Sequence, residues 1–258
     1  MFLFRPIIYF KPMKYCLFSD IHSNLPALQS VINHSLQYDI DKYVCLGDIV
    51  GYNSYPCECI DLLKNLTDDV CAGNHDFAIL EKLDTDDFNN FAKIAIEWTK
   101  KNLSENHKKY LSANLKPILY FQDFEAVHGA LTNPITDYMM NLWVAVTNFK
   151  LMKTNLCFVG HTHIPALFSQ NADGKEPKII RIEPFKKIKL ENEKKYIANL
   201  GSVGQPRDND PRASYMIFDD DEMSITVNRT AYDIDSIQLD MRKKEFPEYL
   251  ITRLSEGK

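Results

Sequence analysis

The run Leu156-Cys157-Phe158-Val159, followed at once by Gly160-His161-Thr162-His163, constrains this chain more than any other stretch. Successive apolar residues read as a buried strand, so two imidazoles emerge at its carboxyl end, where open α/β folds place their sites. On an extended backbone residues i and i+2 point the same way, which predicts that both rings converge on one point. Three earlier segments end alike. Tyr15-Cys16-Leu17-Phe18 runs into Ser19-Asp20-Ile21-His22, Lys42–Leu46 into Gly47-Asp48, and Asp69–Ala72 into Gly73-Asn74-His75-Asp76.

Helical patterns separate these strands. Ser23 or Asn24 is expected to cap a helix reaching Leu36, with Pro26 in its first turn, and a second helix spans Pro56–Leu66. Strands alternating with such helices predict βαβ units and a largely parallel sheet. From Phe77 to Lys116 the pattern is helical, an insert placed to lie over the site. Strands are then expected at Pro117–Phe121 and Phe124–Val127, the latter ending in His128, followed by a helix over Thr136–Lys153. The remainder is β-rich, with a loop at Gly201–Asp208, until two helices at Asp233–Lys244 and Pro247–Ser255 close the chain. No linker or repeat interrupts residues 1–258, which read as one domain; residues 1–12 read as an extension ahead of Met13.

The charge balance limits partners. A formal net charge of −5 offers no basic footprint for a nucleic-acid backbone or an anionic membrane. The N-terminal apolar run is broken by Arg5 and Pro6 and is too short to span a bilayer. Cys16, Cys45, Cys71 and Cys157 lie inside apolar runs and read as core residues, a usage that suits a reducing cytoplasm.

Asp20, His22, Asp48, Asn74, His75, His128, His161 and His163 therefore gather at strand ends, while His34 and His107 fall on helix surfaces. Nitrogen and oxygen donors without thiolate favour Mn²⁺, Fe or Zn²⁺. Leaving His75 aside, the set is too large for one ion and suits two ions sharing a carboxylate.

In this order the blocks D-x-H (Asp20, His22), G-D (Asp48), G-N-H-D (Asn74, His75, Asp76), an isolated His before Gly (His128) and G-H-x-H (His161, His163) resemble the signature of the calcineurin-like metallophosphoesterase superfamily. The resemblance covers the chain after Met13, and Asn199–Arg207 matches a loop of its small prokaryotic phosphodiesterases. It implies an α/β fold, a four-layer α/β/β/α sandwich of two mixed sheets carrying a helical insert. It also implies two divalent ions, Mn²⁺ foremost, with Fe, Zn²⁺ or Mg²⁺ as alternatives. Asp20, His22, Asp48 and His163 would hold the first ion, and Asp48, Asn74, His128 and His161 the second.

The implied reaction is hydrolysis of a phosphodiester or nucleotide by in-line attack of a water shared between the ions. His75 would act on the phosphate, oriented by Asp76, while Arg207 and Asn24 would contact substrate; Arg207 can equally pair with Asp208 or Asp210. Ser23, Phe77 and Leu200 depart from common family patterns without touching the ligands. The alternatives are a dinucleoside polyphosphate hydrolase, a protein phosphatase, or a non-catalytic scaffold such as the retromer subunit. A scaffold would show eroded ligand blocks, and here each block is filled.

Overall fold

The computed structural model describes residues 11–258. Of the expected extension 1–12, only Lys11 and Pro12 fall among them, and Lys11 pairs with Asp41 at 2.9 Å. Strand β1 (Lys14–Phe18) leads through helix α1 (Leu25–Ser35) to β2 (Lys42–Cys45), which lies parallel to β1 with Tyr15 opposite Lys42. Helices α2 (Pro56–Lys64), α3 (Asn74–Ile79), α4 (Asn90–Asn102) and α5 (Glu105–Asn114) follow. The hairpin β3 (Ile118–Tyr120) and β4 (Glu125–Val127), helix α6 (Leu142–Phe149) and strand β5 (Leu156–Val159) begin the second half. Strands β6 (Ala166–Asn171), β7 (Lys178–Ile180), β8 (Ile188–Lys189), β9 (Lys194–Asn199), β10 (Ala213–Asp219) and β11 (Ser224–Thr230) precede helices α7 (Ile234–Lys243) and α8 (Glu248–Glu256).

Two sheets result, ordered β2-β1-β10-β11-β8 and β3-β4-β5-β9-β6-β7. Both are mixed, as the family resemblance implies. The largely parallel sheet expected from the strand–helix rhythm is not formed, because the C-terminal strands β10 and β6 enter antiparallel to β1 and β9. Two further expectations are corrected. Asp69–Ala72 makes only single bridges, Cys45 to Val70 and Cys71 to Lys116, rather than a full strand. The helix expected from Thr136 starts at Leu142, because Asn133 Oδ1 holds the N–H groups of Ile135 and Thr136 in a turn. Asn141 Oδ1 then caps the later start through Trp143 and Val144.

Alternation along the strands builds the layers. In β1, Cys16 and Phe18 face outward against α1 and α2, while Tyr15 and Leu17 face the opposite sheet. In β5, Leu156 and Phe158 face inward, and Cys157 and Val159 pack beneath α6. The order is therefore helices, sheet, sheet, helix. Between the sheets, Phe124, Phe158 and Phe218 meet, with ring centroids 5.2 Å apart for Phe124–Phe158 and 5.7 Å for Phe158–Phe218. Phe158 is fully buried. Phe158→Ala is expected to lower stability by about 3–5 kcal/mol. A denaturant titration checks this as a shifted midpoint with unchanged slope.

Candidate metal centre

The carboxyl ends of β1, β2, β4 and β5 meet at one end of the sandwich. Asp20 and His22 follow β1, Asp48 follows β2, His128 follows β4, and His161 and His163 follow β5, so each sheet contributes ligand candidates. Gly160 lets the sheets close here, since a Cβ on it would stand 2.1 Å from Ser19 Oγ and 2.9 Å from Asp20 Oδ2.

The two histidines after β5 do not converge on one point. Their backbones are left-handed (φ +66° at His161, +63° at His163) rather than extended, so the rings diverge. His163 Nε2 lies 3.2 Å from His22 Nε2 and 3.2 Å from Asp20 Oδ1. His161 Nδ1 instead lies 3.1 Å from His128 Nε2, which is 3.2 Å from Asn74 Oδ1. Asp48 Oδ2 sits between the two groups, 3.5 Å from His22 Nε2 and 3.4 Å from His128 Nε2. Asp20, His22 and Asp48 are also left-handed. Such strain in non-glycine residues gathers at functional sites.

The donor set fits cations. The Nδ1 atoms of His22, His128 and His163 face the carbonyl oxygens of Val50, Leu46 and Gln205 at 3.2, 2.8 and 2.6 Å. His161 Nε2 likewise faces Thr136 O at 3.2 Å. A carbonyl only accepts, so these nitrogens carry the protons and the opposite ring nitrogens turn lone pairs toward one another. Asp20 Oδ1 and Asp48 Oδ2 are buried among them with no hydrogen-bond partner. Facing lone pairs and orphaned carboxylate oxygens repel unless a positive charge lies between them. Bonds of about 2.0–2.2 Å to a divalent ion place neighbouring donors about 3.0–3.5 Å apart, the spacing found here. Burial resists the charge on Asp20, but the His163 imidazole beside it holds the carboxyl well below the usual range. Burial likewise opposes a second proton on His128, yet Asp48 pushes that ring up to about 9, so without an ion a proton takes the place on Nε2 where a cation would compete for the lone pair.

The loop after β9 clasps the ligand turns. Val203 N and Gly204 N donate to Ser19 O and Asp20 O, and Ser202 Oγ donates to Asp20 O. Gly201 N is held by Asn199 Oδ1. The N–H groups of Gly201 and Gly204 thus shape the turn instead of facing an anion.

Two assigned roles change. Asn24 is fully buried and does not face substrate; its Oδ1 caps α1 through Ala27 N, and its Nδ2 donates to Gly204 O. Asp76 does not orient His75. Its Oδ1 accepts from Ile49 N and Val50 N and its Oδ2 from Gly73 N, so its carboxylate ties the Asp48 turn to the start of α3. Burial and the Asp48 charge push that carboxyl up to about 7.

His75 lies beside the ligands. Its ring centroid is 4.8 Å from that of His22, 4.5 Å from Tyr52 and 5.3 Å from Phe88 of the helical insert. Its Nδ1 is buried with no partner against Gly51, where an added Cβ would stand 2.6 Å away. Gly51 also has φ +94°, so Gly51→Ala is strained on two counts. We expect it to displace the His75 ring and lower turnover roughly 10²-fold with metal content kept, read by kinetics alongside metal analysis.

Tyr52, Phe88 and Tyr138 were missed in the sequence. Tyr138 stacks on His161 with centroids 3.8 Å apart and planes inclined at 20°. It comes from a loop without any motif, whereas Tyr52 lies shortly after the Gly47-Asp48 block. Arg207 is half-buried, 5.8 Å from the Tyr52 ring, and donates to Gln205 Oε1. It pairs with neither Asp208 nor Asp210, which bind Arg229 and Arg212.

Known proteins share the sequence and the fold. Residues 13–223 match the calcineurin-like phosphoesterase superfamily domain. An uncharacterised protein of Methanocaldococcus jannaschii is 39% identical over 247 residues, covering 93% of this chain and 96% of its own. The crystal structure of a metallophosphoesterase from Sphaerobacter thermophilus superposes with a TM-score of 0.84 at 38% identity, covering 96% of this chain and 100% of that one. A Pyrococcus horikoshii protein shares the fold at a TM-score of 0.75 and 20% identity, covering 95% of this chain and 98% of its own. With the family domain spanning most of its length, the chain belongs to the calcineurin-like phosphoesterase superfamily.

Proposed function

We propose that this protein is a metal-dependent hydrolase of small phosphodiester or nucleotide substrates. Asp20, His22, Asp48 and His163 would hold one divalent ion, and Asp48, Asn74, His128 and His161 a second. The observation that carries this reading is Asp48 Oδ2, buried, without a partner and nearly midway between His22 and His128. When bound, the ions supply charge to neutralise phosphate oxygens and to acidify water near neutral pH. Mn²⁺ is the ion we expect to support activity best, given the mixed nitrogen and oxygen donors.

The chain's own groups do the rest. Burial pushes His75 down to about 4, so its ring is neutral at pH 7. With no acceptor beside Nδ1, its proton belongs on Nε2, which donates to a phosphate or leaving-group oxygen. Phe88 and Tyr52 pack on this ring and fix its orientation. Among the described residues no helix is long and apolar enough to cross a membrane.

The test is a substrate panel run with Mn²⁺, Fe²⁺, Zn²⁺ and Mg²⁺ in turn. Aryl phosphodiesters, mononucleotides, cyclic nucleotides, dinucleoside polyphosphates and phosphopeptides belong in it. We expect metal-dependent cleavage of bis(4-nitrophenyl) phosphate that chelation abolishes. A metal-replete protein that leaves the whole panel intact would overturn the proposal, and preferred cleavage of phosphopeptides would turn it toward a protein phosphatase.

A further inference from the structure

We propose that Arg207 and Arg253 together form a second anion subsite beside the metal centre, for a phosphoryl group next to the one being cleaved. The inference rests on the phosphoesterase reading and narrows it to substrates carrying adjacent phosphates. Tyr52 is the hinge of the geometry. Its ring lies 4.7 Å from His22 and 4.5 Å from His75 on one side, and Arg207 stands 5.8 Å over it. The same Tyr52 packs into the cluster that contains Leu250 and Leu254, the α8 residues around Arg253. The end of α8 is fastened to the loop after Arg207, because Asn209 N donates to Gly257 O at 2.8 Å. A Cβ on Gly257 would meet Asp210 N at 2.7 Å, so the two segments touch backbone to backbone.

Neither guanidinium pairs with an Asp or Glu side chain among the described residues, whereas Arg212, Arg229 and Arg242 are paired with Asp210, Asp208 and Glu248. The acids that flank Arg207 in sequence are thus already engaged elsewhere. Arg207 Nε is buried and has no hydrogen-bond partner at all. A buried guanidinium donor left unpaired is costly unless an anion completes it. The plain alternative for Arg253 is a basic residue that complements the end of its own helix. Its Nε does serve there, donating to Lys258 O, but that leaves the terminal nitrogens free for a bidentate contact. Burial first, and then the nearby Arg207 charge, lower the basicity of Arg253, as expected for like charges facing one space.

The experiment is a calorimetric titration of the full-length, Mn²⁺-supplemented protein with pyrophosphate and with orthophosphate, at constant free Mn²⁺. We expect pyrophosphate to bind about tenfold or more tightly than orthophosphate, and Arg253→Gln to bring that ratio near unity. Arg253→Lys should keep part of the advantage, since a point charge remains without the fork. Arg212→Gln, which removes a paired guanidinium, should leave the ratio as in the wild type. Equal affinities in the wild type, or a ratio unmoved in both Arg253→Gln and Arg207→Gln, would overturn the subsite. Cleavage of bis(4-nitrophenyl) phosphate in the same samples reports separately on the phosphoesterase reading. That activity can survive while the subsite fails, or vanish while the binding ratio persists.

Discussion

Asp48→Asn is expected to lower the metal content from about two ions per chain to below one and to cut phosphoester turnover roughly 10³-fold. The substitution is nearly isosteric, and the amide oxygen can still accept the His75 N–H that Oδ1 now receives at 2.9 Å. Only the charge on Oδ2 is lost, the atom placed between the two imidazole groups. The effect should also appear in heat stability. An ion present at a hundred times its dissociation constant stabilises the native chain by about 2.7 kcal/mol. For a chain of this size that is roughly 5–10 °C in melting temperature for each site. Chelation should therefore lower the wild-type melting temperature by at least that much and leave the variant almost unmoved. Retention of both ions by the variant, shown by elemental analysis, would remove Asp48 from the shared position.

His75→Ala should behave in the opposite way. Both ions and the melting shift on chelation should remain, while turnover falls at least ~10²-fold, the lower size of losing one preorganised hydrogen-bond donor to the developing charge. The ring is nearly buried, so some loss of packing against Tyr52 and Phe88 accompanies it. His75→Gln separates the two, because an amide restores volume and a donor without an imidazole. If His75→Gln and His75→Ala both turn over like the wild type with metals bound, the ring has no part in the chemistry.

What the sequence makes legible here follows from the range of each interaction. Apolar runs ending in acids and imidazoles announce the ends of β1, β2, β4 and β5, because burial and strand pairing act on a few consecutive residues. The direction of each ring was not legible. His161 and His163 were expected to point together, and a left-handed backbone sends them apart. Asn24 and Asp76 look like functional polar residues, yet both are engaged by backbone N–H groups, a demand seen only once the turns are built. Arg253 and Tyr138 carry no local signature, since what matters about them is the distant element they approach. The mixed sheets were missed by periodicity alone, because alternation along a strand does not state its direction relative to its neighbours.

The left-handed φ of Asp20, His22, Asp48, His161 and His163 has a consequence for how this centre tolerates change. Besides glycine, the side chains that accept such a backbone most readily are aspartate, asparagine and histidine, the same short vocabulary that coordination chemistry draws on. Two independent filters therefore act on each of these positions. A library randomised there would reject valine or isoleucine on conformational grounds before metal affinity is consulted. Exchanges among Asp, Asn and His would pass the first filter and report on the ion alone.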